Sequence, residues 1–189
     1  MRVNLEAVEV RHLTFLKNLR NEPEVMDFCR QPYLLSSQNQ EDWFRNISKT
    51  REMIPFIVTD EELPQSEQWV GYAALSHVDP IADKAEVSYV INPKYRGVGY
   101  GQEAIFQLCY YGFYHLGLQK LYSETFEFNA LECQINEECG FKANGYLPRH
   151  YFKRGKLCGA IPMSILREDF EARWKDKLAL IKYAESKPL

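Results

Sequence analysis

The sequence predicts a mixed α/β fold built on a mostly antiparallel sheet of about seven strands. Two observations carry that prediction. Three strand-like segments follow one another near the middle of the chain, as in a hairpin run, and beyond them strand alternates with helix. A purely parallel sheet does not begin with a hairpin run. The chain's 189 residues suffice for one domain with a substantial core and are tight for two, so 1–189 reads as a single domain.

The elements follow in order. Val3 to Val10 alternates apolar and polar residues, as a half-buried strand does. Leu13, Leu16 and Leu19 then recur at helical spacing until Asn21-Glu22-Pro23 interrupts them. A second helix begins near Ser37, with Trp43, Phe44 and Ile47 on its inner face and Glu41 and Asp42 in its first turns. Pro55–Thr59, Trp69–Val78 and Ala85–Ile91 are the three strands, and the acidic stretch Asp60–Glu67 is the loop between the first two. Asn92-Pro93 ends the third. From Gly101 to Leu116 the apolar and aromatic positions form a wide helical stripe, which predicts a largely buried helix capped by Gly117. Lys120–Phe126 is a strand and Ala130–Cys139 a helix closed by Gly140. Phe141–Leu166 reads as two strands joined at Lys153-Arg154-Gly155-Lys156. Charged residues dominate Arg167–Lys187, which predicts that the segment 167–189 is a helix on the surface.

Composition narrows the function classes. Acidic residues outnumber basic ones, 26 to 23, so no nucleic-acid-binding face is expected. No apolar run is long enough to span a bilayer, and Met1-Arg2-Val3-Asn4-Leu5-Glu6 lacks the apolar stretch of a secretory signal. Five irregularly spaced cysteines argue against a disulfide framework and for reduced thiols in a cytoplasm. His12, His77, His115 and His150 make no ligand spacing with them, so no metal is expected.

The most informative stretch runs from Tyr89 to Ile105, where a strand enters the turn Arg96-Gly97-Val98-Gly99-Tyr100-Gly101 and the turn opens a helix. Successive backbone N–H groups there converge beside the positive end of the helix dipole, which makes a phosphate site. Glycine is required where a Cβ would block close approach or where φ is positive. A P-loop is excluded, because no Lys-Ser or Lys-Thr follows the last glycine. A dinucleotide turn matches Gly97 and Gly99 but meets Gln102 at its third glycine; half of the chain precedes the turn and too few βα units follow it, although Glu124 ends the next strand where a ribose-binding acid would stand.

The remaining pattern, R-x-x-G-x-G at Arg96, Gly99 and Gly101, resembles the acyl-CoA-binding motif of the GNAT superfamily. The order of strands is also similar to that fold, in which helices flank the sheet on both faces. Asn129 after the next strand and Gly140-Phe141 beyond it resemble the later GNAT signature. Asn21–Val25, Trp43 and Tyr151–Lys156 further resemble the branch that contains ribosomal-protein, spermidine and amino-sugar-nucleotide N-acetyltransferases.

The resemblance implies acetyl-CoA as donor, with its pyrophosphate on Arg96, Gly97, Val98, Gly99, Tyr100 and Gly101, its pantetheine on Asn129, and its thioester carbonyl on a backbone N–H near Val90 or Ile91. It implies direct attack by a primary amine, and it makes a homodimer plausible. The acceptor is a small metabolite, such as an amino-sugar nucleotide or a polyamine; a protein N-terminus is the alternative, and a non-catalytic acyl-CoA-binding module a third. Two carboxylates are candidate bases. Glu86 shares a strand face with Ser88 and Val90, where it can also contact the acceptor. Glu124 stands five residues before Asn129, and burial beside Tyr122 and Phe126 would raise its pKa towards the working range. Many members place a tyrosine acid where this chain has Asn136, so Tyr151 or Tyr146 becomes the substitute. Arg30, Tyr33 and Trp43 fall in the region that lines the acceptor side of the family, with Trp43 a core residue first.

Overall fold

A computed structural model describes residues 2–185. Strand β1 (Val3–Ala7) leads through a 3-10 turn into α1 (Leu13–Asn21), the short α2 (Pro23–Met26) and α3 (Ser37–Ile47). The first strand is shorter than its alternation predicts because the Glu9 backbone N–H bonds His12 Nδ1 at 2.9 Å and turns the chain into Val10–His12. Helix α3 starts where Ser36 caps the Asn39 N–H, and Trp43, Phe44 and Ile47 lie half-buried on its inner side.

The hairpin run is β2 (Met53–Asp60), β3 (Trp69–Asp79) and β4 (Lys84–Ile91). Helix α4 (Tyr100–Tyr110) continues as a π-helical turn through His115 and ends at Gly117, whose φ of +72° suits a glycine cap. Then come β5 (Lys120–Phe126), α5 (Ala130–Glu138), a two-residue strand β6 (Lys142–Ala143), β7 (Leu147–Lys153) and β8 (Lys156–Leu166). Strand β6 was not legible, since two residues carry no alternation. Arg154 and Gly155, with φ of 51° and 76°, make the β7–β8 turn expected there.

The sheet runs β1-β2-β3-β4-β5-β8-β6, with β7 also on β8. Every pairing is antiparallel except β4 with β5. Ala85, Val87 and Ile91 pack with Ala104, Ile105 and Leu108 of α4 in the core on one face, while α1 and α3 lie against each other on the other side of the chain's N-terminal half.

The C-terminal segment departs from the single surface helix expected. It breaks at Trp174 into α6 (Arg167–Arg173) and α7 (Lys175–Glu185), and Phe170 and Leu178 are buried against the body of the protein. Phe106 of α4 receives Phe170 and Trp174 at ring distances of 5.4 and 5.1 Å. The remainder of the predicted terminal helix, 186–189, lies outside the described residues. No described helix is long and apolar enough to cross a membrane.

One feature of the sheet makes room for a site. Strands β4 and β5 pair in parallel only at Lys84↔Lys120, Ala85↔Leu121 and Glu86↔Tyr122. Both strands continue, to Ile91 and Phe126, without pairing further, so an opening lies between their C-terminal halves.

Candidate active site

The glycine turn stands at the end of β4 beside this opening. Gly97 and Gly99 have φ of +80° and +95°, which explains both glycines conformationally. Gly101 is helical, and its need is spatial: a Cβ there would sit 3.1 Å from the Tyr89 ring. The first backbone bond of α4 runs from the Glu103 N–H to the Gly99 carbonyl at 3.1 Å, and among the described residues the N–H groups of Tyr100, Gly101 and Gln102 find no acceptor. Three converging orphan donors fit a phosphate. Arg96 Nε donates to the Ile91 carbonyl at 3.2 Å and Nη1 lies 3.6 Å from Glu24. The Val98 side chain is exposed, and its carbonyl accepts from Arg2 Nη2 at 2.6 Å. The Tyr100 side chain turns inward, donating to Asp60 Oδ2 at 2.6 Å, so only its backbone faces the turn.

The register of β4 separates two residues that sequence left equivalent. Gly71 lies opposite Ile91 and Tyr72 opposite Val90, and the Asn92 N–H bonds the Val70 carbonyl at 2.9 Å. Alternation then turns the polar groups of Val90 towards β3, where its carbonyl crowds Gly71 so closely that a Cβ there would lie 2.4 Å away. Val90 therefore has no N–H to offer the opening. That of Ile91 points the other way, towards β5.

The two candidate bases are neighbours in space. Glu86 is buried, and both its oxygens are engaged: Oε1 by Arg30 Nη2 and Oε2 by His77 Nδ1 at 2.9 Å. A buried carboxylate requires such partners. Arg30 reaches in from the segment between α2 and α3, and its Nη2 also lies 3.3 Å from the Glu124 carbonyl. His77 sits where the β3–β4 register breaks, at φ +49°. On β5, Glu124 Oε1 accepts from the Tyr151 hydroxyl and lies 3.7 Å from His150 Nε2, whereas no partner among the described residues holds Oε2. Burial, and then the bond to Glu124, raise the pKa of the Tyr151 phenol, so it is protonated at neutral pH. Arg30 lies 5.9 Å from the Tyr151 ring centre, completing the cluster. Tyr146 is outside it; its hydroxyl donates to Glu127 at 2.5 Å.

Asn129 caps α5, its side chain accepting from the Glu132 N–H at 3.4 Å. Asn136 is buried and turned into the protein, donating towards Ser123, Thr125 and Glu132 at 3.3–3.4 Å. Glu132 in turn accepts from the Tyr89 hydroxyl at 2.8 Å, and burial raises the pKa of that carboxyl against the effect of both bonds. This Tyr89–Glu132–Asn136 chain occupies the surroundings of the residue that is tyrosine in many relatives of the resembled family, and nothing in the sequence announces it.

A pocket of about 240 Å³ lies between α1, α3 and the sheet, walled by Leu16, Leu19, Trp43, Tyr72 and Val90. Tyr72 and Val90 are register partners, and Val90 shares its strand face with Glu86, so the pocket and that glutamate open on the same side of β4. Trp43 meets Tyr72 edge-on at 6.3 Å and is half-buried, which makes it both packing and wall. Tyr33 is exposed and does not line this pocket.

Residues 2–142 match the family model of the acetyltransferase (GNAT) domain. This chain belongs to the GNAT acetyltransferase family. It is an acetyl-CoA-dependent N-acetyltransferase. The GNAT chain is 27% identical to the spermidine N(1)-acetyltransferase of Vibrio cholerae over 89% of its own length and 95% of that protein's, and 26% identical to the Escherichia coli K12 enzyme of the same name over 92% and 90%. Its fold superposes on the crystal structure of the Vibrio cholerae spermidine N-acetyltransferase in complex with CoA and spermine with a TM-score of 0.83 at 26% identity, covering 89% of this chain and 98% of that one. Acetyl-CoA, the donor of this family, carries a pyrophosphate, an anion of the kind that unpaired N–H groups suit.

Proposed function

We propose that this GNAT enzyme transfers the acetyl group of acetyl-CoA to a primary amine of a small metabolite, with Glu124 as the base. The uncommitted Oε2 of Glu124, beside a Glu86 whose oxygens are both taken, is the observation that carries the choice of base. Acetyl-CoA supplies an activated thioester. Glu124 accepts a proton from the incoming ammonium or amine, directly or through water, and Tyr151 fixes its orientation. Tyr151 is then also the protonated donor available to the departing thiolate. The Ile91 N–H serves the developing oxyanion, the N–H groups of Tyr100, Gly101 and Gln102 the pyrophosphate, and Asn129 the pantetheine arm. Arg30 and His77 hold the Glu86 carboxylate in place on the acceptor side. Five cysteines without a disulfide support a cytoplasmic setting.

A pocket of about 240 Å³ walled by residues of α1 and α3 supports a small acceptor over a protein N-terminus, and the spermidine-acting relatives support a polyamine. An amino-sugar nucleotide is the second reading; it is favoured by Arg20 in the pocket lining and by the lack of any carboxylate among the residues that line it. A thiol-release assay with spermidine, an amino-sugar nucleotide and a short peptide as acceptors tests the proposal. Turnover confined to the peptide overturns the small-metabolite reading, and CoA binding without release against any amine leaves a binding module.

A further inference from the structure

A second cavity, of about 390 Å³, has Gly99 of the glycine turn in its lining and shares no lining residue with the acceptor pocket. Gly99 and Gln102 form its lip, and Cys139, Arg173, Trp174 and Lys177 its far wall. Neither cation has a carboxylate within ion-pair distance among the described residues. Lys177 Nζ stands 4.0 Å from the Phe106 ring centre and 5.1 Å from that of Trp174, held over aromatic faces rather than by a counter-ion. Arg173 spends only its Nε, on the Glu138 carbonyl at 3.0 Å, with its guanidinium 5.1 Å from the Trp174 ring.

The acids that also line the groove are already engaged. Glu103 accepts from the Arg2 and Val3 N–H groups at 2.9 and 3.2 Å and from the Arg2 guanidinium. Glu138 accepts from Gln102 at 2.6 Å and Gln134 at 2.9 Å. Burial lowers the pKa of Lys177, and Glu103 opposes that shift; a bound anion would act in the same sense as Glu103.

We propose that this groove receives the nucleotide end of CoA and that Lys177 and Arg173 bind its 3′-phosphate. The inference rests on the assignment of the pyrophosphate to the turn, since that is what brings the nucleotide to the lip at Gly99. It gives the C-terminal helices a task in donor selection: they distinguish CoA from the same molecule without its 3′-phosphate.

Calorimetric titration of the whole protein with CoA and with dephospho-CoA tests this. The wild type binds CoA about tenfold or more tightly than dephospho-CoA, the difference expected for one or two charge-assisted bonds to phosphate. In Arg173→Gln/Lys177→Gln the preference collapses towards unity while dephospho-CoA affinity is unchanged, which also shows that the variant is folded. Lys177→Arg retains the preference. A double variant that keeps the wild-type preference, or a wild type that has none, overturns the proposal. Failure of the turn assignment is separately visible, because Gly99→Val would then bind both ligands as the wild type does.

Discussion

The Arg30 guanidinium donates to the Glu86 carboxylate from a segment that belongs to no helix or strand. With its contact to the Glu124 carbonyl, it joins the two strands that part to form the opening. Arg30→Met strands a buried carboxylate with His77 as its remaining partner. Because Arg30 is itself partly exposed, the expected loss is about 1–3 kcal/mol, less than for a fully buried pair. Thermal denaturation should show the melting temperature falling by several degrees, with Arg30→Lys recovering part of it; an unchanged melt means that the pair contributes nothing.

Glu124→Gln separates the two glutamates by kinetics. Losing a general base costs roughly 10²–10⁴-fold in kcat, with KM for the amine changed much less, and the loss should be steepest at low pH, where the amine is most protonated. Glu86→Gln should instead act chiefly on amine KM and on stability, since both oxygens of Glu86 serve structural bonds. Wild-type turnover of Glu124→Gln across pH would move the base elsewhere.

The parts of this site that sequence revealed are those fixed locally. Gly97 and Gly99 stand out because their φ values favour glycine, and Asn129 because a helix cap is a local event. Arg30 was visible as a residue of the acceptor-side region, but its bond to Glu86 was not, since that partner is 56 positions away. His77 depends on a register break between β3 and β4 that alternation does not disclose. Choosing Ile91 over Val90 required knowing which neighbour each strand edge faces. The buried C-terminal stripe was more accessible: Phe170, Trp174 and Leu178 recur every four residues, a helical signal overshadowed by the surrounding charges.

Tyr100 supplies a pH test of the fold. Burial and its bond to Asp60 push the phenol pKa up to about 12 from an ordinary value of 10.0. A raised folded-state pKa means that this contribution is fully present below pH ~10 and is lost as pH rises through ~12. Stability should therefore decline over that window, and Tyr100→Phe, less stable at neutral pH by about 1–2 kcal/mol, should show a shallower decline. Denaturant melts between neutral and alkaline pH check this; parallel curves would contradict it.

In the proposed reaction the glycine turn from Gly97 to Gly101 holds the donor. Gly99→Val tests it most directly, because a branched side chain at φ +95° is strained and projects beside the orphan N–H groups of α4. Isothermal titration of wild type and variant with CoA, each with its thermal melt, is the decisive measurement. The predicted result is loss of measurable CoA binding by a variant that still unfolds cooperatively. Unchanged affinity in Gly99→Val would contradict the account.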